Sequence, residues 1–427
     1  FPAQNRGHVM EKRSADQSWM AARTLVPRWG LWTSGLVNLI VLAITAVALW
    51  WIFFSNSGVF KLYTPLLGFS LVIWMLLIIM WHVEFFDFWP FTDRFLAESH
   101  PLKKGGIFTA TSLLFYFALI FGVLFFIIGK YGITYFNWNS LATYGQLGQD
   151  VMSTRETTSW SFICLSVPFL WLTTVLLVGV GKDIWPNDPQ PGQGLANWLL
   201  MAMLSIPLFL IFFHPHIGSM FYPAQIYTAV PPWWKQIAHT NSAEYGLGIL
   251  FCTVIVIFIT LQLWEGRPWT LVDKQPWRVI FVILGGLALG FLFFKIQLYI
   301  MDYLWDEAYI GGQNDANFGW RYSHTVTMGN FILVPAIVLN LYFGSAFSSM
   351  KLWLKGIVTT GIAIIAGLVF AWCYYRWAPV VLGVCSGVSH PSENPSAFLV
   401  MIIVLLNIQD YFMDRWPGYR ADRKGTE

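Results

Sequence analysis

Charge is what this sequence has least of. Only 11% of its 427 residues are Asp, Glu, Lys or Arg, and the formal net charge is +3. Soluble globular domains carry about 25% charged residues, so the ordinary soluble class is excluded. The near-neutral balance also supplies no basic surface of the kind that binds nucleic acid. Cysteine is scarce: Cys164, Cys252, Cys373 and Cys385 lie far apart, the first three inside apolar runs, which excludes a disulfide framework and a CxxC zinc site. No GxxxxGKS/T, HExxH or GxSxG occurs, and Asn394 is followed by Pro395, which removes the one sequon. No nucleotide or nucleic-acid partner is therefore expected. A c-type haem is excluded by the lack of CxxCH, and no span pairs two histidines for a b-type haem.

What abounds is apolar sequence, 56% from the AVILMFWYC set. Ten stretches come close to the roughly 20 residues that cross a bilayer as a helix. They run approximately over 31–54, 64–86, 107–129, 158–181, 195–213, 243–264, 278–304, 324–347, 353–377 and 396–413. The expected fold class is an all-α integral membrane protein, a polytopic bundle of about ten transmembrane helices with both termini cytoplasmic. The expected organisation is an N-terminal segment 1–30, a transmembrane domain 31–413 and a tail 414–427. The first apolar run is too long for a signal-peptide core and no small-residue cleavage site follows it, so it is expected to stay as an anchor. Orientation follows from the basic residues, which are held on the cytoplasmic side. Of 25 Lys and Arg, 18 fall on the face of the termini, 6 on the opposite face, and Lys295 lies inside a span. The expected location is the inner membrane of a bacterium or archaeon.

The same map makes the outer connections the long ones, 130–157, 214–242, 305–323 and 378–395, and long loops are where function concentrates. Inner connections are shorter. Trp89-Pro90, Trp185-Pro186, Pro268-Trp269 and Trp416-Pro417 close spans 2, 4, 6 and 10, each beside a carboxylate: Glu84 and Asp87, Asp183, Glu265, Asp410 and Asp414. Trp anchors at an interface and Pro stops a helix just past its end. A carboxylate at a helix C-terminus opposes the macrodipole and should seek a cation. Arg94, Lys182, Arg267 and Arg415 are the nearby candidates. Span 8 ends in Ser348 and Ser349 instead, so the pattern is an incomplete internal repeat. With 18% Trp, Tyr and Phe, helix surfaces interlock and resist sliding, which favours a static bundle. Gly285, Gly286 and Gly290 in span 7 mark close packing, and Pro168, Pro207 and Pro335 mark kinks.

Candidate chemistry sits on the outer face. His214, His216, His239, Glu244, Asp315 and His324 combine imidazole and carboxylate, the ligand set for copper, iron or zinc. In His214-Pro215-His216 the residue before proline is pushed toward extended geometry, where positions i and i+2 point the same way. Lys295, placed in the outer part of the bilayer, either snorkels outward or begins a polar stripe with Asp302 and Asp306. Phe221-Tyr222-Pro223, His239, Glu244-Tyr245 and Gly248 resemble a stretch in the membrane-embedded A subunit of the copper methane and ammonia monooxygenases. That likeness covers under a tenth of the chain and assigns no family. The function expected is a static membrane subunit of a larger, oxidoreductive complex, with the outer metal site or a site for an apolar substrate or quinone. Its partners would be the bilayer and other membrane subunits. The alternative is a secondary transporter or channel for a small solute or ion.

Overall fold

The computed structural model describes residues 25–55, 57–91, 95, 99–128, 154–181, 189–212, 243–304, 319–383 and 395–421. A short strand, β1 (Leu25–Pro27), leads into α1 (Leu31–Leu49), continued by a π-helical stretch to Phe54. Then come α2 (Pro65–Glu84), α3 (Pro101–Phe117, continued as π-helix to Ile128), α4 (Thr154–Gly179) and α5 (Gly192–Phe212). The second half holds α6 (Ala243–Leu263), α7 (Trp277–Leu304), α8 (Gly319–Val338, π-helical to Phe343) and α9 (Leu352–Val381). It closes with α10 (Ser396–Asn407, π-helical to Phe412) and β2 (Tyr419–Ala421). Among the described residues nine of these helices are long and apolar enough to cross a membrane, and the tenth, Ser396–Phe412, is shorter. The protein is an all-α membrane bundle. Helices α4, α8 and α9 extend into the outer connections that hydropathy marks as loops.

Burial alternates along the chain. The apolar windows of α2, α4, α6 and α8 are 89, 89, 56 and 72% buried, against 22–28% for α1, α3, α5, α7 and α9. In α10 every residue from Ser396 to Leu406 is buried. Even-numbered helices therefore form the inside and odd-numbered ones the outside. The five inner helices close a ring, each packed on the next in the order α2, α4, α6, α8, α10 and back to α2. Each outer helix packs on the inner helix that precedes it, and α1 packs on α10. The outer helix also reaches the inner helix one place back: α3 touches the end of α10, α7 touches α4, α9 touches α6 and α1 touches the end of α8. For α5 the contact with α2 is a Trp81–Trp198 ring pair at 6.4 Å. The repeating unit is thus an inner helix with an outer one packed on it, arranged five times around an axis: four such pairs are hairpins, and the fifth joins α10 to α1.

Local chemistry repeats with it. After α2, α6 and α10 the chain turns in the same way, with Asp87, Glu265 and Asp414 at φ of 47, 51 and 50°. The next residues, Phe88, Gly266 and Arg415, donate N–H to His82, Thr260 and Gln409, six positions back, at 3.0, 3.2 and 2.8 Å. Trp89, Arg267 and Trp416 then donate to Phe86, Trp264 and Met413, three back. Gly35, Gly105, Gly194 and Gly356, all near the start of outer helices, lie against Phe343, Met413, Phe86 and Trp264 with no room for a Cβ. Glycine there sets the close approach of outer to inner helix. Gly290 similarly lies against the backbone of Thr253, so the α7 glycines are packing sites.

β1 and β2 pair antiparallel, Leu25 opposite Ala421, which puts both described ends on one side of the bundle, the near end. The C-terminal turn is stitched in: Asn38 Nδ2 donates to Arg415 O at 2.9 Å, Gly418 N to Asn38 Oδ1 at 2.8 Å, and Tyr419 Oη to Tyr342 O at 2.5 Å. Burial raises the pKa of the Tyr419 phenol, against the opposing pull of Arg415. A phenol whose folded pKa is raised is stabilising in its neutral form. That contribution is complete below about pH 10 and is lost as pH rises through the higher folded value. Thermal melts should therefore show wild type losing stability above pH 10 more steeply than Tyr419→Phe, which itself loses about 1 kcal/mol at neutral pH.

Candidate functional site

At the near end the carboxylates find their cations, not always the nearby ones. Arg415 Nε binds Asp410 Oδ1 at 2.7 Å and also caps Leu341 O at 2.7 Å. Glu265 instead meets Lys355 at 2.8 Å, and Asp414 meets Lys104. Lys104 and Lys355 are the fourth residues of α3 and α9, and each precedes the glycine noted above. The two pairs are equivalent under the five-fold repeat of inner and outer helices but differ in burial. Lys104 and Asp414 are 2 and 7% exposed, whereas Glu265 is 59% exposed.

Inside the ring lies a cavity of about 380 Å³. Its walls are one stripe from each inner helix: Ile73, Leu76, Met80 and Glu84 of α2; Leu170 and Leu177 of α4; Phe251, Val254, Ile255 and Phe258 of α6. Helix α8 contributes Asn330, Leu333, Ile337 and Leu341, and α10 contributes Val400, Ile403, Asn407 and Asp410. Steps of three and four residues keep each stripe on one helix face. From Glu84 back to Ile73 the stripe covers roughly 16 Å at 1.5 Å per residue. The charged lining residues Glu84, Asp410 and Arg278 all lie at the near end, where partly exposed Gly181, Gln262 and Tyr411 frame an opening. Deeper in, the walls are apolar except for Asn330. That carboxamide is 4% exposed, lines the deep end and has no hydrogen-bond partner among the described residues.

At the far end of the cavity two rings meet. Phe251 of α6 meets Phe69 of α2 with centroids 5.8 Å apart, both side chains buried. Helices α2 and α6 are not neighbours in the ring, since α4 stands between them, so their side chains meet across the axis. One turn beyond the lining residues, on the same helix faces, come Ser70, Ser166, Thr327 and Ser396, all buried. Thr327 and Ser396 hydrogen-bond to each other at 2.6 Å, while Ser70 and Ser166 donate to carbonyls in their own helices.

Of the residues singled out in the sequence, Glu84 and Asp410 line the near end of this cavity; the outer-face set contributes no described side chain to it. His214, His216, His239, Asp306 and Asp315 lie outside the described residues, and of Glu244, Asp302 and His324 the backbone alone is described, at the ends of α6, α7 and α8. Lys295 is exposed on the outer face of α7, its ammonium 5.2 Å from the Tyr245 ring centre and 5.4 Å from that of Phe291. It does not face the bundle interior, because an outer helix turns that position away from the ring. Among the described residues no three His, Cys, Asp or Glu side chains come together to hold a metal. Asn330, Phe69 and Phe251 escape a search for charged and ligating residues. The available signal was an amide and paired hydroxyls inside even-numbered apolar spans. Compared with protein-family models, curated proteins and solved structures, the chain matches none.

Proposed function

We propose that the chain is a membrane conduit for a small solute, with the axis of the five-helix ring as its path and the Phe69–Phe251 contact as its stopper. The observation that carries this is the cavity: five inner helices each turn one stripe to a common axis, partly exposed residues frame one end, and a ring contact lies at the other. An apolar constriction of this kind blocks passage by excluding water until it widens. Pro168 in α4 and Pro335 in α8 break the hydrogen-bond ladder of two ring helices, where bending can widen the axis. The mouth faces the cytoplasm in this reading, because basic residues gather at the near end. The test is solute entry into vesicles holding purified Phe251→Ala protein. Adding Leu333→Trp, which fills the cavity from α8, should return entry to the rate of protein-free vesicles. Entry unaffected by the added indole would reject the axis as the path.

A static membrane subunit of an oxidoreductive complex stays as the second reading, favoured by the interlocked rings of the core, such as the cage of Phe88, Phe108, Phe115 and Phe412 around His82. Its outer-face metal site is tested by metal analysis of natively purified protein. Stoichiometric copper, iron or zinc that falls about 10- to 100-fold in affinity in the His214→Ala/His216→Ala variant would support it, and metal-free protein would remove it.

A further inference from the structure

The chemistry along the axis is uniform beyond the mouth. Every charged lining residue sits at the near end. Deeper, the polar groups on the axis-facing stripes are one carboxamide, Asn330, and then the hydroxyls of Ser70, Ser166, Thr327 and Ser396. None of these carries charge. An ion drawn to the level of Asn330 would leave its hydration shell for apolar walls and a single amide, and an uncompensated charge in such surroundings is strongly disfavoured. An uncharged molecule with a donor and an acceptor loses far less, and the unpartnered Asn330 side chain offers both. The hydroxyls one turn farther on, with Ser70 beside Phe69 on α2, carry uncharged hydrogen-bonding oxygens to the level of the aromatic stopper.

We infer that the cargo is a small uncharged, hydrogen-bonding solute of the amide or polyol class, and that Asn330 is the group that binds it below the stopper. This rests on the conduit reading. Ions are excluded by the walls, and purely apolar molecules need no conduit because they dissolve in the bilayer.

The experiment compares entry of acetamide, glycerol and KCl into vesicles holding Phe251→Ala, Phe251→Ala/Asn330→Leu or no protein. Acetamide and glycerol entry is expected to rise about tenfold with Phe251→Ala and to fall back by a similar factor when Asn330→Leu is added, while KCl entry stays at the protein-free rate. Should the Asn330→Leu protein fail to fold, Phe251→Ala/Thr327→Val is expected to slow both solutes with the ring intact. KCl entering alongside acetamide would overturn the uncharged class and leave the conduit standing. Acetamide and glycerol entry insensitive to both added substitutions would overturn the role of Asn330 and the hydroxyls. If neither solute nor salt enters through Phe251→Ala, the conduit itself fails, and this inference with it.

Discussion

Lys104→Met is expected to cost about 3–5 kcal/mol of stability, enough to prevent recovery of folded protein, because it removes the cation from beside the Asp414 carboxylate in a site that is 7% exposed. The lysine lies on α3 and the aspartate follows α10, 310 residues later, so the pair closes the ring where its two ends meet. Replacing both at once, as Lys104→Met/Asp414→Leu, removes the buried carboxylate as well and should recover most of the loss, since a buried ion pair and an apolar pair of similar volume are nearly equal in stability. The equivalent change on α9, Lys355→Met, faces a mostly exposed Glu265 and should cost less than about 1 kcal/mol. Thermal melts of the four proteins decide it. Equal losses at positions 104 and 355 would mean that burial does not govern these pairs.

Phe251→Ala is expected to raise solute entry into vesicles about tenfold or more. The Phe251 ring is shared by the cavity wall and the stopper, so its removal extends the cavity to the level of the buried hydroxyls. Phe69→Ala should act in the same direction, and the double replacement should add little to either, because one contact is lost in all three. A large-to-small change in a packed core costs about 3–5 kcal/mol; one face of this ring borders open space, so the loss here should fall below that range.

Much of the fold was legible in the sequence and the arrangement of its helices was not. Ten apolar stretches marked the helices, nine of them long enough to cross a membrane and the last shorter, and their even number put both described ends on one side, where β1 and β2 pair. Which helices are inside could not be read from hydropathy. The outer α7 has a mean hydropathy of 2.5 and the inner α6 one of 2.4, since lipid tails are as apolar as a packed core. Trp-Pro turns after spans 2, 6 and 10 were visible, but that each hands the chain from an inner helix to the outer helix packed on it depends on contacts across the ring. Arg415 was named as a partner for the acids and serves Asp410. Lys104 and Lys355 were not, because their acids are 310 and 90 residues away in sequence. The axial site escaped for a related reason: it is made of Phe69, Phe251 and Asn330, residues unremarkable one at a time, brought to one axis by three different helices.

The most direct measurement places a thiol on the path. In Phe251→Ala protein with Cys373 and Cys385 replaced by serine, Ile337→Cys puts a single new sulfhydryl on the cavity wall, and a water-soluble methanethiosulfonate bearing a bulky charged group is applied while glycerol entry is followed. Passage along the axis requires that labelling proceed from the near end and stop entry. Complete labelling with undiminished entry would show that the solute crosses elsewhere.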